Sequence, residues 1–155
     1  DEGKEVTWIP SYGPEMRGGT ANCTVIISNE EIGSPLVKNP QAVIAMNLPS
    51  VDKYVSSVRA GGVLVVNASM APREVERQDI IVVNVPASEI AESLGDKRMT
   101  NMVLLGALLG NLPVLPLESI EKALKAHLPA RHHRLLPLNS QALLRGAEYV
   151  KQPVK

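Results

Sequence analysis

Short apolar runs separated by polar turns organise this chain, with no single long periodicity. Glu5-Val6-Thr7-Trp8-Ile9 alternates and is rich in β-branched and aromatic residues, which predicts a strand that Pro10 ends. Ala21 to Ser28 reads as a second strand. Its Val25, Ile26 and Ile27 are too continuous for a one-sided sheet, so an inner strand is expected there. A short apolar strand follows at Ala42 to Met46. Ser50 is expected to cap a helix in which Val51, Tyr54, Val55 and Val58 recur at helical spacing, and Gly61-Gly62 releases the chain into a strand from Val63 to Val66.

Residues 70–79 are charged and broken by Pro72, then Ile80 to Val85 reads as another buried strand. In "PASEIAESLG", Ile90, Ala91 and Leu94 share one helical face and Gly95 stops it. "MTNMVLLGALLG" predicts a helix almost without a polar face, which must be surrounded by its own domain or by a partner. Gly106 and Gly110, four apart, would let another backbone come close. Leu117 to Leu128 forms a further helix stopped by Pro129. Asn139 is expected to cap the last helix, striped by Leu143, Ala147 and Val150. The alternation from residue 42 onward predicts an α/β fold: a three-layer open sheet, mostly parallel, with helices on both faces and a C-terminal helical segment.

Composition narrows this picture. A chain of 155 residues fits one domain, taken as residues 1–155, with a core that must be aliphatic because phenylalanine is absent. The first residue is Asp, so the domain is expected to be incomplete at its N-terminus. Sixteen basic residues balance sixteen acidic ones without a Lys/Arg-rich block, which argues against wrapping nucleic acid or lying on an anionic membrane. The most apolar stretch, Met102 to Leu117, is interrupted by Gly, Asn and Pro and falls short of a membrane span. Nothing resembles a secretory leader, and the expectation is a soluble, cytoplasmic protein. One cysteine, Cys23, cannot build a disulfide framework, an all-cysteine zinc site or an iron–sulfur cluster within this chain.

The candidate chemistry is concentrated in "IPSYGPEMRGGTANC". Arg17 precedes Gly18 and Gly19, whose amides no Cβ obstructs, and a planar guanidinium beside free amides suits a carboxylate or a phosphate. The bland reading is a loop whose arginine pairs with Glu15 or a carbonyl. Ser11 and Tyr12 could add hydroxyl donors. Neither a dinucleotide fingerprint nor a P-loop is present. Cys23 falls inside a strand and reads as a buried small hydrophobe rather than a nucleophile. His127, His132 and His133 do not have the spacing of a metal site. Asn22 lies within the motif stretch, while Asn47, Asn67 and Asn84 stand at or just beyond strand ends, where open α/β sheets place ligands; turn-capping is the alternative for each. No pair of carboxylates and no Ser/His/Asp set stands out, so a reactive centre would have to come from a cofactor or another chain.

"PSYGPEMRGGTANCTVIIS", "IGSP", "IAMNLPSVDKY", "GGVLVVNAS" and "TNMVLLGALLG" together resemble the gamma subunit, or fused gamma domain, of the 2-oxoacid:ferredoxin oxidoreductases. The resemblance covers essentially the whole chain and is greatest to the 2-oxoglutarate and branched-chain branches. It implies oxidative decarboxylation of a 2-oxoacid with coenzyme A to an acyl-CoA and carbon dioxide, with electrons passing through iron–sulfur clusters to ferredoxin. Thiamine diphosphate and the clusters are then expected in alpha, beta and delta partners, no catalytic residue or metal ligand is expected in this chain alone, and it is not expected to be active alone. The family's loop corresponds to Ser11, Tyr12, Gly13, Glu15, Arg17, Gly18 and Gly19. Either it touches substrate or coenzyme A, or it shapes a subunit interface with a supporting electrostatic role, the reading favoured. The glycine-rich turn with which family members usually begin is not in this sequence. The competing class is a stand-alone small-molecule or coenzyme A-binding α/β module without redox activity.

Overall fold

The computed structural model describes residues 2–12 and 21–151 of the chain, which divides into two units, Asp1–Lys38 and Asn39–Lys155. In the first, strand β1 (Glu5–Tyr12) pairs antiparallel with β2 (Ala21–Ser28), Trp8 facing Val25 and Pro10 facing Cys23. The expected inner strand at Ala21–Ser28 is therefore corrected. It belongs to a two-stranded ribbon, and exposed residues alternate with half-buried ones over its first half. Its apolar run reflects β-propensity, while burial depends on what is stacked against it. Pro10 is tolerated because, among the described residues, each strand has a ladder on one side only. Lys4 Nζ donates to Asn29 Oδ1 beyond one end of the ribbon.

The second unit is built on a parallel sheet of order β3–β4–β5 (Ala42–Ala45, Val63–Asn67, Ile81–Val85), with Ala42 beside Val63 and Val63 beside Ile81. Every residue of β4 is buried, as a central parallel strand requires. Its alternating side chains enter two cores. Val63 and Val65 point to one side with Val85, Val103, Leu104 and Leu143; Leu64 and Val66 point to the other with Ala45, Val51, Val58 and Ile80. Full burial of each of Leu64, Leu104 and Leu143 is worth about 1.5–3 kcal/mol. The layers are thus helices, sheet, and helix plus loop.

Helix α1 (Leu48–Tyr54) lies on the second side, and a 3-10 turn, Val55–Ser57, extends it. Its cap is Asn47, not Ser50: the Asn47 backbone is extended and its side chain accepts from Ser50 N at 3.0 Å, because Pro49 already occupies the first turn. Arg77 closes this side, donating to the carbonyls of Val55 at 2.8 Å and Val58 at 2.7 Å while paired with Asp79.

On the other side lie α2 (Ala87–Ser93), α3 (Thr100–Asn111), α4 (Leu117–His127) and α5 (Leu136–Tyr149). The apolar helix α3 is surrounded by its own unit, chiefly by α5. The two backbones approach so closely that a Cβ on Gly106 would meet Leu143 O at 1.9 Å, and one on Gly146 would meet Val103 O at 1.9 Å. Asn139 is not a cap. It lies inside α5, buried, and donates to Leu135 O at 2.8 Å, while Pro137 in the first turn fixes the helix start.

Candidate functional site

The motif stretch Ile9–Cys23 sits where β1 gives way to β2. Its base is the pair of rungs Ser11–Asn22 and Tyr12–Ala21, the last of the antiparallel ladder. Ser11 is exposed and Asn22 half-buried. Gly13, Glu15, Arg17, Gly18 and Gly19 lie outside the described residues. Cys23, expected to be buried, is exposed beside this base. In a ribbon, strand membership alone covers neither face.

The second cluster of polar groups stands at the carboxyl edge of the sheet and involves only one of the asparagines fully. Asn67, the last residue of β4, is 2% exposed. Its Nδ2 donates to Met46 O and to Ser88 Oγ, both at 3.2 Å, tying the end of β4 to the β3–α1 connection and to the first turn of α2. Its Oδ1 is buried without a hydrogen-bond partner. Ser88 N donates to Ser69 Oγ at 3.2 Å, and the Ser69 hydroxyl donates to Glu89 Oε2. That hydroxyl is the main reason the Glu89 carboxyl lies below its ordinary range, with a backbone hydrogen bond second. Asn47 is used as a helix cap, and Asn84 is exposed within β5. The spacing of Asn67 marked a strand end, but nothing local linked it to Ser69, Ser88 and Glu89, which sequence reading missed. The cluster can orient three loops; it contains no group poised as a general base.

The histidines do not converge. His133 Nε2 lies 2.8 Å from Leu128 O, and His132 Nε2 accepts from Arg131 Nε at 3.0 Å. Among the described residues no group of three or more His, Cys, Asp or Glu side chains could hold a metal ion, and no helix is long and apolar enough to cross a membrane. A shallow depression of about 240 Å³ is lined by Ile90, Arg145, Glu148 and Tyr149, away from both clusters in sequence. One cysteine cannot by itself supply the four thiolates of an iron–sulfur cluster. The chain's own thiols thus do not fit such a cluster.

Residues 1–149 match the family described as pyruvate ferredoxin/flavodoxin oxidoreductase. The ketoisovalerate oxidoreductase subunit VorA of Methanothermobacter thermautotrophicus is 35% identical over 155 residues, covering 99% of this chain and 32% of that protein. The chain therefore spans about a third of the length of that relative. The 2-oxoglutarate synthase subunit KorC of Methanothermobacter marburgensis is 36% identical over 125 residues, 77% of this chain and 67% of that protein. Among solved structures, the gamma subunit of a keto/oxoacid ferredoxin oxidoreductase from Geobacter sulfurreducens superposes with a TM-score of 0.78 at 28% identity, covering 96% of this chain and 82% of that one.

Proposed function

Because the chain belongs to the pyruvate ferredoxin/flavodoxin oxidoreductase family, among its gamma-type subunits and domains, we propose that it serves a coenzyme A-dependent 2-oxoacid:ferredoxin oxidoreductase as the part that supports, without itself performing, the decarboxylation. The observation that carries this reading is the family match along residues 1–149, which includes the Ser11–Gly19 motif and the sheet unit together. The reaction converts a 2-oxoacid and coenzyme A to an acyl-CoA and carbon dioxide, with two electrons passed to ferredoxin. Thiamine diphosphate and iron–sulfur clusters supply that chemistry in alpha, beta and delta partners, and no step is assigned to a group on this chain. Its role is to present Ser11, Tyr12, Arg17, Gly18 and Gly19 at a subunit interface, with Arg17 adding positive charge beside the active centre. A cytoplasmic location goes with this reading, as does a 2-oxoglutarate or branched-chain substrate, which the KorC and VorA relatives favour.

The test is co-purification of the tagged chain from its native source, followed by viologen reduction with 2-oxoglutarate, 2-oxoisovalerate, pyruvate and an aryl pyruvate, each with and without coenzyme A. Coenzyme A-dependent reduction with one of the first two is expected. Recovery of the chain alone, from an extract without such activity, would favour the stand-alone binding module.

A further inference from the structure

Where α2 meets α5, Ile90, Arg145, Glu148 and Tyr149 line a depression of about 240 Å³. Both helices belong to the Asn39–Lys155 unit and are fixed by its core. Arg145 and Glu148 stand three apart on α5 and so share a face, with Cβ atoms about 5–6 Å from each other. They carry opposite charges, yet neither side chain takes part in an ion pair or a hydrogen bond. Elsewhere in the same unit Arg73, Arg77 and Arg98 each close on a nearby aspartate. An arginine that precedes a glutamate is the weaker order for a pair along a helix, because the dipole opposes both charges.

The lining selects the ligand. A guanidinium presents a planar fork that fits a carboxylate, and a glutamate carboxylate accepts from an ammonium. Glu148 lies in the last turn of α5, where the helix carbonyls add partial negative charge that favours a cation. Ile90 is half-buried and Tyr149 is 38% exposed, so an aliphatic wall and an aromatic ring stand beside the two charges. The volume lies below the roughly 300–1,000 Å³ of sites for drug-sized molecules. A dicarboxylate would bring like charge to Glu148, and a diamine would bring it to Arg145. The molecule that satisfies all four groups is small, carries a carboxylate and an ammonium on one carbon, and ends in an aliphatic side chain.

We propose that this depression binds a free α-amino acid with an aliphatic side chain, Arg145 holding its carboxylate, Glu148 its ammonium, and Ile90 with Tyr149 its side chain. The site shares no residue with the Asn67 cluster or the Ser11–Gly19 motif, and it goes beyond the oxidoreductase reading without depending on it. Both charged groups are exposed, so binding is weak, with a Kd on the order of 1–10 mM.

The test is a titration of the isotope-labelled 155-residue chain with L-leucine, followed by NMR at the Ile90 methyls, the Arg145 Nε–H and the Tyr149 ring. Saturable shifts at all three are expected. Two half-ligands separate the charges: 4-methyl-2-oxopentanoate lacks the ammonium, and 3-methylbutylamine lacks the carboxylate. Each is expected to bind at least fivefold more weakly than leucine. Arg145→Gln and Glu148→Gln, at exposed positions, should keep the circular dichroism of the parent and each weaken leucine at least fivefold. Glu148→Gln should not weaken the oxoacid, and Arg145→Gln should not weaken the amine. A half-ligand that binds as tightly as leucine makes the depression a plain anion or cation site and overturns the proposal, as does leucine binding that neither variant weakens. Absence of shifts at about 50 mM leucine, well above the expected Kd, overturns it too. None of these outcomes bears on 2-oxoacid-dependent viologen reduction by the co-purified complex, which tests the oxidoreductase reading separately.

Discussion

At the scale of single residues, Asp96 shows how much one carboxylate does at an exposed turn. Its Oδ1 accepts from Arg98 N at 2.9 Å, capping the 3-10 turn Lys97–Met99 that leads into α3, and its Oδ2 accepts from Arg98 Nη2 at 2.6 Å. The Arg98 guanidinium first, then that backbone amide, hold the carboxyl down at about 2 against an ordinary 3.8. A carboxylate depressed in the folded state stabilises above its unfolded value and loses that contribution as pH falls through the folded one. Urea midpoints should therefore drop between pH 3.8 and about 2, and Asp96→Asn should flatten the curve in that window. The effect is small, because solvent screens the pair, and an Asp96→Asn protein with the same acid dependence as the parent would refute it. Arg17 is proposed to act in the assembled complex. Arg17→Ala should lower coenzyme A-dependent viologen reduction or assembly by about 10- to 100-fold, the range of a lost charge-assisted hydrogen bond of about 1.5–3 kcal/mol. Unchanged assembly and turnover would remove the loop from the function. Individual roles are only partly legible in the sequence. Local pattern puts Cys23 in its strand, but which faces of that strand are covered is decided by distant chain. Asn139 reads as a cap because it precedes an apolar stripe, whereas Pro137 sets the start and Asn139 turns back to Leu135.

Elements are legible wherever their signals are local. The strands at Ala42–Ala45, Val63–Asn67 and Ile81–Val85, and the helices α2 to α4, fall within a residue or two of where apolar period, Gly stops and Pro breaks put them. Pairing is not legible from such signals: the Gly106 and Gly110 spacing announces a close neighbour, but α5 as that neighbour rests on Gly146 forty residues on. The α3–α5 crossing yields a sharp expectation. A methyl group on Gly106 or Gly146 would overlap a backbone carbonyl that belongs to a buried helix and cannot swing aside. Gly106→Ala and Gly146→Ala should each cost about 3 kcal/mol or more, through forced separation of the helices and the voids it opens. Gly33→Ala, with nothing within 4 Å of the added carbon, is the control. Thermal unfolding of the three variants checks this; a Gly146→Ala protein as stable as the control would mean that the helices can slide apart at little cost.

At the scale of the whole chain, neither buried cluster draws on a residue before Val43, so the aliphatic core belongs to Asn39–Lys155. That unit holds a central strand buried on both faces and helices that close over it, which is enough for cooperative folding. The Asp1–Lys38 unit has a ladder but no buried apolar side chain among its described residues, and a ladder alone does not offset the chain entropy it fixes. A chain cut to residues 39–155 should therefore keep a single urea transition with the midpoint of the parent, measured by circular dichroism. A peptide of residues 2–38 should show no stable strand signal. Broad, non-cooperative unfolding of the shortened chain would show that the ribbon contributes to the core after all. If the shortened chain behaves as expected, the ribbon adds nothing to the core, and amide exchange separates the two cases. Exchange in β1 and β2 of the chain should be fast and exchange in β4 slow; equal protection of the two would show that the ribbon shares in the core's stability.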